Sequence, residues 1–205
     1  MIRRAATGLV GLWLLLSAVA SGAAAPNLNT QDPASFIQSL GEEAIQMLSD
    51  KTLSEKDRLI QFRTLLHAGF DMKTIGRFTL GRYSTRASDA EVEEFQRLFD
   101  EYVVQTYASR LGQYSGEKLQ IGTARKDESG DILVGSEIVP REGPQVRVEW
   151  RVRGEPGKFK IIDVIVEGVS MAITQRSEFS AVIQRSGGKI DGLISELRRK
   201  IPSSY

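Results

Sequence analysis

The chain has 205 residues, with 27 Lys and Arg against 26 Asp and Glu, one histidine, no cysteine and 41% apolar residues. That length and apolar fraction suffice for one domain with a buried core and exclude fibrous and disordered classes. The lack of cysteine excludes a disulfide framework, a cysteine-ligated zinc and a thiol nucleophile, and any histidine chemistry must rest on His67 alone.

The first 25 residues have the pattern of a secretory signal peptide. Arg3 and Arg4 form a basic start, Leu9 to Leu16 an apolar run, and Ser17 to Ala25 a tail of mostly small residues, with Ala18-Val19-Ala20 fitting the A-x-A cleavage pattern. The apolar run is short for a membrane span, and an uncleaved N-terminal anchor is the alternative. Removal of Arg3 and Arg4 leaves the mature chain about neutral, which speaks against a nucleic-acid partner, because such a protein needs a basic excess. Export without cysteine points to a bacterial envelope protein in the periplasm, stabilised by its core instead of by disulfides.

The mature chain, 26–205, reads as one α+β domain: helical over 32–113, a sheet over 117–167, and helical again over 169–201. Asp32 followed by Pro33 starts a first helix to about Ser49, with Phe36, Leu40, Ala44, Met47 and Leu48 at helical spacing. Ser54 and Asp57 open a second, whose apolar face is Leu59, Phe62, Leu65 and Leu66 and whose C-terminal cap is Gly69. Asp71 to Leu80 forms a short third helix with Met72, Ile75 and Phe78. Ser88 with Glu91 makes a capping box for the longest helix, striped by Val92, Phe95, Phe99, Tyr102, Val103, Thr106 and Leu111 and ending at Gly112.

From Glu117 the apolar period changes to two. Turn signals divide four strand-length runs, Lys118 to Lys126, Asp131 to Pro140, Gln145 to Arg153 and Phe159 to Glu167, and connections this short favour an antiparallel meander. In the third run Val146, Val148, Trp150 and Val152 share one face and Arg147, Glu149, Arg151 and Arg153 the other. That charged face meets water or a charged partner, and the Arg147/Arg151/Arg153 stripe is a candidate docking surface. In the fourth run Ile161, Ile162, Val164, Ile165 and Val166 are apolar on both faces, so helices should cover both. A helix after Gly168 carries Ala172, Ile173, Phe179, Val182 and Ile183, and a last one, Ile190 to Ile201, ends in Arg198-Arg199-Lys200, suited to a helix C-terminus. Helices before and after a four-stranded curved antiparallel sheet can enclose an apolar cavity.

Chemical motifs are scarce. Gly76 to Gly81 has P-loop glycine spacing, but Arg82-Tyr83 replaces the Lys-Ser/Thr and no strand precedes it, so it is structural. Gly168-Val169-Ser170 lacks the second glycine of a nucleophile elbow. His67, at the end of the second helix, has no evident partner and reads as a surface or packing residue. Asp163, between apolar neighbours, must be hydrogen-bonded or paired if buried. A structural role near an arginine competes with a catalytic one beside Tyr102 or Tyr107. Glu42-Glu43 and Glu91-Glu93-Glu94 have no metal-ligand spacing. No catalytic residue, metal or cofactor is assigned.

Phe70-Asp71, Leu80-Gly81-Arg82-Tyr83, the Phe95/Phe99/Tyr107/Leu111 helix, Asp163-Val164-Ile165-Val166-Glu167-Gly168-Val169-Ser170 and Arg176-Ser177-Glu178-Phe179, in this order and spacing, resemble the MlaC (toluene-tolerance) family of periplasmic phospholipid-binding proteins. Ser84 and Gln175 stand where many members carry Trp and Tyr, which suggests a divergent branch associated with hopanoids. The resemblance implies a non-enzymatic, monomeric carrier. It would take phospholipid, or hopanoid, acting between an outer-membrane lipoprotein complex and an inner-membrane ABC transporter with an MCE subunit. At about 0.8 kcal/mol per buried CH₂, two acyl chains represent about 20 kcal/mol of apolar burial, so such a cargo needs an enclosing protein. Apolar faces and resemblance together select Phe78, Phe95, Phe99, Tyr102, Val103, Val148, Trp150, Val152, Ile161, Ile165, Val169, Ile173, Phe179 and Ile183 for the pocket, with a dry core as the alternative. Arg82 and Arg176 are candidates for a phosphate at the mouth, or for pairing with Asp163 or Asp71. A ligand-free periplasmic adaptor with a filled core is the further alternative.

Overall fold

Asp32, Ser54, Asp71 and Ser170 each turn a side-chain oxygen back onto the third residue of the helix that follows, and these four caps place the helices where the sequence predicts them. The structure, a computed structural model, describes residues 25–111 and 114–201. The predicted leader, except for Ala25, and the predicted helix end at Gly112 lie outside them. The described helices are α1 (Pro33–Ser49), α2 (Glu55–Gly69), α3 (Met72–Leu80), α4 (Asp89–Leu111), α5 (Met171–Arg185) and α6 (Ile190–Lys200). The capping box of α4 forms as expected, with the Ser88 amide donating to Glu91 at 2.7 Å and the Glu91 amide to Ser88 Oγ at 3.3 Å. A 3₁₀ turn, Gly81–Thr85, follows α3 and was not anticipated.

The sheet is an antiparallel meander of β1 (Lys118–Lys126), β2 (Ile132–Val139), β3 (Val146–Arg153), β4 (Lys160–Val166) and β5 (Val169–Ser170), in that spatial order. It has five strands where four were expected. The fifth is a two-residue return through Glu167 and Gly168, both at positive φ, the geometry of a tight hairpin turn. Register shifts between Ile121 and Ala124 and at Arg151/Val152 bend the sheet. At the first bend two glycines let the strands approach closely, since a Cβ on Gly122 would lie 3.3 Å from the Gly135 carbonyl oxygen. The sheet is curved and does not close.

Gly69 does not cap α2 as predicted. It is the last helical residue, its φ is not positive, and it leaves room for Leu40, whose Cδ1 would stand 2.8 Å from a Cβ there. The α2 carboxyl end is satisfied instead by Lys160, whose Nζ donates to the carbonyls of His67 (2.9 Å) and Ala68 (2.6 Å).

The core divides in two. One cluster joins α3 to α6 through Leu80, Tyr83, Phe95, Phe99, Phe179, Ile183, Leu193 and Leu197. The other packs Phe36, Ile37 and Leu40 of α1 on Val134, Val152, Phe159 and Ile161 of the sheet. Phe70 touches both, at the point where the Asp71 amide donates to the Ile161 carbonyl at 2.9 Å.

Candidate functional site

The predicted pocket residues fall into four groups. Phe95, Phe99, Phe179, Tyr102, Val103 and Ile183 meet in the helical cluster. Phe95 and Phe99 stack at 5.7 Å, and Phe179 stands edge-on to both at 5.8 and 6.1 Å. Val152, Ile161 and half-buried Trp150 belong to the sheet cluster. Val148 and Ile165 line a depression of about 640 Å³ on the sheet, walled by Gln120, Glu137, Arg147 and Glu149 around Gly122 and Gly135. Phe78, Val169 and Ile173 are exposed. Helical and sheet groups therefore occupy separate cores, with Phe70, Ile75, Tyr102 and Val103 half-buried on one side and Trp150 and Val164 half-buried on the other.

The two candidate mouth arginines do not pair with Asp163 or Asp71. Arg82 donates to Tyr83 Oη at 3.1 Å, which holds that phenol below its ordinary value, and lies over the same ring. The Arg176 guanidinium lies 5.2 Å from the Phe78 ring centroid and flat on Gly81, where a Cβ would meet Nε at 2.6 Å. Gly81 is at φ +53, so both its conformation and this contact require glycine. Among the described residues, neither arginine is within 4 Å of a carboxylate.

Asp163 binds the start of α5. It accepts from Ser170 Oγ at 2.6 Å and from the Ala172 amide at 3.0 Å, while Ser170 Oγ accepts from the Ile173 amide. Ser170 is thereby the capping residue of α5, and the partners of Asp163 are the hydroxyl and amide at the start of α5 instead of an arginine. Tyr102 sits elsewhere, against Phe179 and Lys200.

The arginine stripe of β3 is neutralised. Arg153 makes a two-point contact with buried Asp131 at 2.7 and 2.8 Å, Arg151 pairs with Asp127, and Arg147 reaches Glu167 at 3.5 Å. His67, for which the sequence shows no partner, has one and is half exposed. Its Nε2 lies 3.1 Å from Asp100, which Arg63 also contacts, in a depression of about 960 Å³ between α2, α3 and α4 whose lining residues are mostly charged. The separation of 33 positions between His67 and Asp100 hides this pair from any local reading. Among the described residues no cluster suits a metal ion, and no helix is long and apolar enough to cross a membrane.

Residues 38–199 match the family described as MlaC protein. A toluene tolerance protein of Pseudomonas putida is 26% identical over 113 residues, 55% of this chain and 53% of its own length. The intermembrane phospholipid transport system binding protein MlaC of Haemophilus influenzae is 28% identical over 135 residues, 63% of this chain and 61% of its own. The chain thus spans between half and two thirds of these curated relatives. A phospholipid-binding protein from Ralstonia solanacearum, solved in complex with a phospholipid, shares the fold with a TM-score of 0.71 at 20% identity, over 80% of this chain and 93% of that one.

Proposed function

Because the chain belongs to the MlaC family, we propose that it is a periplasmic lipid carrier that takes phospholipid acyl chains between its two apolar clusters and performs no covalent chemistry. The observation that carries this reading is the family match over residues 38–199. The divided core agrees with it: two apolar clusters share Phe70, and half-buried Ile75, Tyr102 and Val103 pack on one of them while Trp150 and Val164 pack on the other, so that a ligand entering between the clusters would meet apolar side chains of both. Arg176, pre-oriented by Gly81 and Phe78 and free of carboxylates among the described residues, supplies the charge that would meet a phosphate, with Arg82 beside it. The carrier acts as a monomer after removal of its leader and passes lipid between an outer-membrane lipoprotein complex and an inner-membrane ABC transporter with an MCE subunit.

Native mass spectrometry of the mature protein, purified from the periplasm without detergent and then extracted with organic solvent, tests this. The expected result is a one-to-one mass increment that extracts as glycerophospholipid. A hopanoid increment keeps the carrier and changes the cargo. Bare protein that takes up no lipid from liposomes overturns the carrier reading in favour of an adaptor.

A further inference from the structure

Few large apolar side chains are exposed among the described residues, and three of them, Phe78 (40%), Val169 (53%) and Ile173 (58%), lie along the α3/α5 side of the molecule. Arg176 joins them: it stands one helical turn after Ile173 and its guanidinium rests on the Phe78 ring, while Val169 immediately precedes the α5 cap. Arg82 lies in, and Arg86 just after, the 3₁₀ turn that follows α3, whose first residue, Gly81, is the one on which the Arg176 guanidinium rests. From Met72 to Ser88 the sequence has four basic residues and no acidic one, in a chain that is otherwise balanced. The contrast with the sheet is sharp. There Arg125, Arg147, Arg151 and Arg153 each have a carboxylate partner, whereas Arg82, Arg86 and Arg176 have none within 4 Å among the described residues.

We infer that this face, apolar Phe78, Val169 and Ile173 framed by Arg82, Arg86 and Arg176, docks reversibly on an anionic lipid bilayer. Cations beside exposed aromatic and aliphatic groups are what a negatively charged interface attracts: the arginines sit at the phosphate level while the apolar side chains enter the acyl boundary. The charge complementarity selects a negative surface. A bilayer is the occupant this pattern fits, because it demands no matching shape and needs only a few exposed apolar side chains beside cations. Arg77 and Lys73 turn the other way, into the depression that also holds Asp89 and Glu93, and add little here.

This goes beyond the carrier reading and is tested apart from it. Flotation of the mature chain with vesicles of phosphatidylcholine alone, or of phosphatidylcholine with phosphatidylglycerol, reads the docking. The phosphorus content of protein afterwards separated from the vesicles reads the carrying. The expected result is partition to the phosphatidylglycerol vesicles only and release as salt is raised. Arg86→Gln, which spares the arginines assigned to the carried phosphate, should lower partition about fivefold, the weight of one cation at an anionic surface. Ile173→Ser should also weaken it, with the far-ultraviolet circular dichroism unchanged. Equal partition to both vesicles, insensitivity to salt, or no partition to either overturns the inference, the last leaving an acidic protein as the partner. The salt series on the unaltered chain decides this even if a variant fails to fold. Protein that carries lipid without docking sinks the inference and keeps the carrier; docking without carried lipid does the reverse.

Discussion

Asp131, buried just before β2, is held by one edge of the Arg153 guanidinium, Nε and Nη2 together, and this contact keeps its carboxyl below the ordinary value of 3.8. A carboxylate whose pKa is lower folded than unfolded adds stability above the unfolded value. That stability fades as pH falls past 3.8 and is gone below the folded value. Other carboxylates, among them Glu91 and Glu101, are lowered as well, so the informative quantity is a difference. The Tm of Asp131→Asn should lie below that of the unaltered chain at pH 7, and the gap should narrow as pH is taken below 3.8; a constant gap would mean that the ion pair contributes nothing. Asp163 is a different case, because its partners are donors of α5. Asp163→Ala leaves the Ser170 hydroxyl and the Ala172 amide without their acceptor and should cost about 1–2 kcal/mol in urea denaturation, with Asp163→Asn intermediate. Under an enzymatic alternative the same changes would abolish turnover instead, so an unfolding curve and an activity screen on one pair of variants separate the two roles.

At the scale of elements, local chemistry was the legible part. Caps such as Asp32, Ser54 and Ser88 announce helix starts because each supplies its own hydrogen bond within three residues, and the period-two runs of β1 to β4 announce strands in the same way. What was not legible depends on a partner. Val169–Ser170 is a strand only because it pairs with Ile165 and Val166, and Gly69 serves packing because Leu40 comes from another helix. His67 with Asp100 and Asp131 with Arg153 fail to show for the same reason. The candidate site was least legible, since a residue packed in an apolar cluster and one that would meet a ligand carry the same apolar spacing; Phe99 and Trp150 look alike until the two clusters are seen apart. The β4–β5 turn offers a test at this scale. Gly168 has φ +81, and a Cβ there would have nothing within 4 Å, so Gly168→Ala meets no neighbour and only the backbone resists it. It should destabilise by about 1–2 kcal/mol in the same urea assay. No loss would show that the turn relaxes to another geometry.

For the whole molecule, a carrier that takes its ligand between the two parts of the core would couple stability to loading. A ligand that binds only the folded state adds RT ln(1 + [L]/Kd) to stability, so a carrier stripped of lipid should melt lower than a loaded one. Trp150 is placed to report the same event optically. It is half-buried in the sheet cluster, and its Nε1 donates to Ser136 Oγ at 2.8 Å, which fixes the indole on the sheet. The other tryptophan, Trp13, lies in the predicted leader, so emission from the mature chain belongs to Trp150 alone. Acyl chains entering between the clusters would displace water from the exposed part of this ring. Loading of delipidated protein from liposomes should therefore move its emission to shorter wavelength, slow its quenching by acrylamide and raise the Tm together. A rise in Tm with unchanged emission would keep the lipid but move its chains away from β3 and into the helical side. Unchanged emission and unchanged Tm would remove the ligand from between the clusters altogether.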